Sequence, residues 1–109
     1  MTALEFSNGH SRLDERSLAL HQLVAEKLKL NPSLVDIATS NIRKWGTSDR
    51  PALKEWEDLL KKGVGYIVGF LQERSENAAR LRQSSPFAGV LSEDERLGIY
   101  EAFRSRPRH

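Results

Sequence analysis

Arg80-Leu81-Arg82-Gln83-Ser84-Ser85-Pro86-Phe87-Ala88-Gly89-Val90-Leu91 is the run in this chain of 109 residues where helical periodicity stops. Pro86 lacks a backbone N–H and biases Ser85 away from the helical region, while Gly89 permits a positive φ. The run predicts a turn or ordered loop, with Phe87 as an apolar anchor between two helices. Loops held on a rigid scaffold are common places for binding. The same composition also serves a plain helix–helix connection whose phenylalanine plugs the core.

On both sides of that loop, apolar residues recur at spacings of three and four. Residues 1–10 form a polar lead-in ending in the turn-like Ser7-Asn8-Gly9-His10, and flexibility is expected there. From about Arg12 to Lys29, Leu13, Leu20, Val24 and Leu28 form a stripe with Leu23 at its flank. Asn31-Pro32-Ser33 ends that helix and starts a second, with Asn31 as expected N-cap. The second helix, 32–45, is expected to bury Leu34, Ile37, Ala38, Ile42 and Trp45, with Gly46 as its stop. Pro51 opens a third stripe of Leu53, Trp56, Leu59 and Leu60. A kink at Lys62-Gly63 joins two expected helices, 51–62 and 64–73, where Val64, Ile67, Val68 and Leu71 continue the period; a single bent helix is the alternative. Tyr66 and Phe70 lie off that stripe and suit either a partner or a second core layer. A short segment, 75–83, precedes the loop. Ser92-Glu93-Asp94-Glu95 is a capping box with acids complementing the helix dipole, and Leu97, Ile99, Tyr100 and Phe103 supply a last apolar face. The expected fold is all-α, a compact bundle of five or six short helices. It comprises a single helical domain over 11–104, followed by a basic tail over 105–109.

Composition narrows the function classes. Hydrophobic residues make up 39% and charged residues 29%, ordinary values for a globular chain. No apolar run approaches the roughly 18 residues of a membrane span, and the N-terminus lacks a secretory pattern, so a cytoplasmic protein is expected. There is no cysteine, and His10, His21 and His109 lack metal-ligand spacing, so neither a metal nor a cofactor is expected. The net charge is +2 despite a pI near 9.2. Residues 1–54 carry 8 basic and 6 acidic residues, and residues 55–109 carry 9 of each. A nucleic-acid binder concentrates positive charge on one face. A DNA-binding reading therefore requires Arg43, Lys44, Arg50, Arg104, Arg106 and Arg108 to converge.

Two further constellations bear on chemistry. Arg16-Ser17-Leu18-Ala19-Leu20-His21 resembles the arginine–histidine motif of HEPN-type ribonucleases, which are small helical proteins. That resemblance implies Arg16 holding a scissile phosphate and His21 moving a proton. Positions i and i+5 sit roughly 140° apart on a helix, so the pair meets one phosphate only across a dimer cleft or a broken helix. Ser17 is smaller than the family's residue, and the motif lies early in the chain. The second constellation is Arg80 and Arg82 with Ser84, Ser85 and Phe87. Arginines beside an exposed aromatic are a hot-spot composition for a protein partner, although the arginines could instead hold Glu93 or Glu95.

Residues 19–28, Asn41-Ile42-Arg43-Lys44-Trp45, Glu55-Trp56 and 80–96 together resemble a family of small bacterial proteins with no established activity. Members occur beside toxin genes or as tails of helix–turn–helix proteins. The resemblance implies a non-enzymatic interaction module, the antitoxin-like half of a toxin–antitoxin pair, with a toxin as partner. A homo-oligomer is compatible with the same sequence, and a DNA-binding regulator and an HEPN-like ribonuclease are the alternatives.

Overall fold

The computed structural model describes residues 8–104, with side chains from Asp14 onward. The expected tail at 105–109 and most of the lead-in lie outside the described residues. Among those described, six α-helices and one 3₁₀ turn form an all-α bundle with no strand. These are α1 (Asn8–Leu30), the 3₁₀ turn (Pro32–Leu34), α2 (Val35–Trp45), α3 (Pro51–Leu60), α4 (Val64–Leu71), α5 (Glu76–Arg82) and α6 (Glu93–Arg104).

Helix α1 begins at Asn8, so residues 8–10 belong to a helix and not to a turn-like lead-in. Extending an established helix requires far less than nucleating one, which offsets the poor propensities of Asn8 and Gly9. Its inner line runs through Leu18, His21, Val24, Ala25 and Leu28, all buried, while Leu20 and Leu23 are displaced to the flank.

Asn31 does not cap α2 through its side chain. Its Oδ1 instead accepts from Ser33 Oγ at 2.8 Å, and the first turn is tightened to 3₁₀ geometry. Ala38 and Ile42 carry the burial of α2. Trp45, expected in the core, is 39% exposed, at the end of the helix that Gly46 (φ 79°) terminates. Gly63, at φ 102°, separates α3 from α4 as two helices.

One core cluster unites α1 to α5 and the loop around Trp56 and Ile67, both fully buried. Phe70 and Phe87 meet the Trp56 ring edge-on, with centroids 5.6 and 5.8 Å away. The Trp56 Nε1–H donates to the Leu81 carbonyl at 2.8 Å, which satisfies the one polar atom of a buried indole. Phe70 therefore fills the core, whereas Tyr66 stays about half exposed and stacks on it. Helix α4, the most apolar segment, lies against α1.

The last helix is attached differently. Ser92 and Glu95 make both bonds of the capping box: Ser92 N–H to Glu95 Oε1 at 2.7 Å and Glu95 N–H to Ser92 Oγ at 3.1 Å. Yet no residue of α6 is buried, and Leu97 is 50% exposed. Ile99, Tyr100 and Phe103 are only partly covered. A Lys27–Glu95 ion pair at 2.9 Å ties α6 to α1. So does the Arg16 guanidinium, which lies 4.7 Å from the Tyr100 ring centroid.

Candidate functional site

The 84–91 segment is an ordered loop fixed at several points. Its serine and proline chemistry sets the local turn: Phe87 N–H donates to Ser85 Oγ at 3.2 Å, and Val90 N–H to the Phe87 carbonyl at 3.1 Å. Gly89 adopts φ 98°, a value that an L side chain rarely takes. Pro86, Phe87, Val90 and Leu91 are all buried. From the neighbouring α2, Asn41 Nδ2 donates to the carbonyls of Pro86 and Ala88 at 2.8 and 2.9 Å, one on each side of Phe87.

The exposed aromatic expected beside the arginines is therefore absent: Phe87 is 4% exposed and belongs to the core. Trp56 and Phe70 offer it an aromatic pocket, and the flanking carbonyls are satisfied by Asn41, so burial leaves no polar group stranded. Arg82 is likewise buried. Its Nη1 donates to the carbonyls of Leu71 (3.3 Å) and Glu73 (2.7 Å), capping the otherwise orphaned C-terminal end of α4. Arg80 is exposed and pairs with Glu55, at 2.9 and 3.2 Å, rather than with Glu93 or Glu95. Ser84 and Ser85 are partly exposed.

The loop does form a site with α1. A groove of about 530 Å³ runs between them, with Leu20, Val24, Phe87 and Leu91 as its apolar surface. Ser85, Ala88 and Gly89 of the loop, Glu93 and Arg96 from the start of α6, and His21 of α1 complete its lining. Arg96 is exposed and makes no ion pair among the described residues. Two features that the sequence separates by more than sixty positions, His21 and the Ser85–Phe87 turn, thus come together.

His21 is 7% exposed, and its Nδ1 lies 2.7 Å from the Ser17 carbonyl. A carbonyl only accepts, so Nδ1 carries the proton and Nε2 of the neutral ring is an acceptor. Burial pulls the pKa down to about 4, the nearby Arg82 charge adds to that effect, and the Ser17 bond opposes it. At neutral pH the ring is uncharged.

The other candidate residues lie apart. Arg16 and His21 sit on one unbroken helix, the first stacked on Tyr100 and the second buried in the groove. Arg43 and Lys44 are exposed on the last turn of α2, and Arg50 is exposed just before α3. Arg43 and Lys61 border a separate cleft of about 430 Å³ between these helices, together with Glu57. Arg104 belongs to α6 and pairs with Glu101 at 2.8 Å. Arg106 and Arg108 lie outside the described residues. Among the described residues, no group of histidine, cysteine or carboxylate side chains could hold a metal ion, and no helix is long and apolar enough to cross a membrane.

Asn41, the residue that pins the loop, is not among the candidate site residues read from the sequence. Its signal is present but faint: a weak helix former placed three residues after Ala38, on the margin of the buried stripe. No family model, curated protein or solved structure matches this chain.

Proposed function

We propose that this chain is a non-enzymatic protein-interaction module that receives a segment of a partner protein in the groove between α1 and the 85–91 loop. The observation that carries the reading is the construction of that groove: four apolar side chains share its lining with polar and charged neighbours, and one boundary is a loop that Asn41 holds in place. Such a site binds with little ordering penalty, because its shape exists before the partner arrives. Arg96 in that lining, exposed and without an ion pair of its own among the described residues, is free to meet a carboxylate. The incomplete burial of α6 extends the contact surface beyond the groove.

The test is affinity capture of the tagged full-length protein from its host, with and without nuclease, alongside Ala88→Arg. Ala88 is exposed on the groove wall, and only its carbonyl is used by the fold, so this change blocks the groove without touching the core. One stoichiometric protein that survives nuclease and is lost with Ala88→Arg supports the reading, and a toxin as that protein would supply the antitoxin-like assignment. Nucleic acid without protein would contradict it in favour of a DNA-binding regulator.

A further inference from the structure

Three consecutive residues of α1 reach three parts of the fold through charge. Glu15 pairs with Arg74, in the connection after α4, at 3.7 Å, and the Arg16 guanidinium lies over the Tyr100 ring of α6. Asp14 lines a cavity of about 140 Å³ together with Glu15, Leu18, Arg74, Ala79 and Arg82. None of residues 14–17 is buried, and the first buried side chain described in α1 is Leu18. This turn is therefore held to the bundle by charge more than by apolar packing. Arg82 is the cation most in need of it. It is 5% exposed and its Nη1 is bonded to two carbonyls, but its Nε is sealed and unbonded. It makes no ion pair with a carboxylate among the described residues. A buried cation without a counter-charge is costly. Burial pulls the guanidinium pKa down, and the strongest opposing influence is the Asp14 carboxylate, ahead of that of Glu73. Asp14 is half-buried and makes no ion pair of its own among the described residues.

We propose that Asp14 is the counter-charge of the buried Arg82, and that Asp14-Glu15-Arg16 is an ionic clasp whose opening frees the Arg82 corner and α6 together. The members of the clasp are not equivalent. Glu15 and Arg74 are both more than half exposed, so water competes for that pair and it contributes little. Asp14 acts on a cation that water barely reaches, where charge is screened less. Asp14 is therefore the member on which the clasp depends. Arg16 transmits its opening, because it shares the same helical turn and its contact with Tyr100 holds the middle of α6, while Lys27–Glu95 holds the start. No residue of α6 is buried, so little apolar packing resists the movement. Glu93 and Arg96 of the same helix line the groove, so the clasp bears on the proposed interaction site, although it stands without that reading.

The experiment is native-state amide hydrogen exchange on the ¹⁵N-labelled full-length protein, comparing the unaltered chain with Asp14→Asn, Asp14→Glu and Glu15→Gln. Neither position is buried, so the variants keep the fold. Asp14→Asn should lower the protection of the amides of residues 16–19 about 5- to 10-fold and lower that of residues 98–103 with it, leaving residues 24–28 as they were. Asp14→Glu keeps the charge and should stay near the unaltered chain, and Glu15→Gln should change protection by about twofold or less. Unchanged protection in Asp14→Asn, or an equal loss in Asp14→Glu, would overturn the counter-charge role. A loss in Glu15→Gln as large as that in Asp14→Asn would overturn the dependence on Asp14. Loss at residues 16–19 with unmoved residues 98–103 would overturn the coupling to α6.

Discussion

Asn41 and Pro86 are 45 positions apart, yet the side-chain amide of the first donates to the carbonyl of the second at 2.8 Å, and to that of Ala88 at 2.9 Å. A single side chain thereby holds the loop on both sides of Phe87. Asn41→Ala leaves two carbonyls to find water and should lower stability by about 1–2 kcal/mol. Asn41→Asp should be worse, since it sets a carboxylate against the same carbonyls. Chemical denaturation checks the first effect. Faster exchange of the Val90 amide, whose bond closes on Phe87, checks that the loop has loosened.

His21 links stability to pH. Its pKa is about 4 in the fold against 6.5 in the open chain, so the unfolded state takes up the proton first as pH falls. Its contribution is therefore complete above pH 6.5 and is lost progressively toward pH 4, with about 2 kcal/mol gone between pH 7 and pH 5. Denaturation midpoints measured across that window should fall on acidification. In His21→Gln the part of the slope due to this residue should vanish, whatever the variant's absolute stability.

Phe87 is a core residue and behaves as one. Phe87→Ala removes an edge-on ring from Trp56 in a site that is 4% exposed, and the expected loss is about 3–5 kcal/mol. That is a large share of a small domain's stability, so thermal unfolding should show a much lower Tm. Phe87→Leu keeps most of the volume and should lose markedly less.

Two glycines should respond in opposite directions to alanine. Gly63 sits at φ 102° between α3 and α4, where a side chain is strained even though space is open, and Gly63→Ala should destabilise by about 1–3 kcal/mol. Gly98 lies within α6 without a positive φ and with open space before it, so Gly98→Ala should stabilise by about 0.5–1 kcal/mol. Paired denaturation curves test both signs.

The helices were legible because their apolar spacing, prolines and glycines are local signals: Pro51, Gly46, Gly63 and the Ser92/Glu95 box all act where the sequence places them. What depends on the neighbour across the fold was not legible. Trp45 and Trp56 both satisfy helical periodicity, but only Trp56 has helices and the loop closing over it. The loop was recognisable as a loop, whereas the direction of Phe87, the capping role of Arg82 and the Arg80–Glu55 pair each depend on elements distant in the chain. The groove required two such elements at once, so neither His21 nor Ser85 announced it alone.

The most direct test of the groove as the interaction site is calorimetric titration of the captured partner with the unaltered protein, with Ala88→Arg, and with the α2 control Arg43→Glu/Lys44→Glu. All three should share one circular dichroism spectrum, since these side chains are exposed. The account predicts that Ala88→Arg raises Kd at least about tenfold while the α2 control changes it little. Unchanged binding by Ala88→Arg together with loss in the α2 variant would contradict it and move the interface to the exposed end of α2.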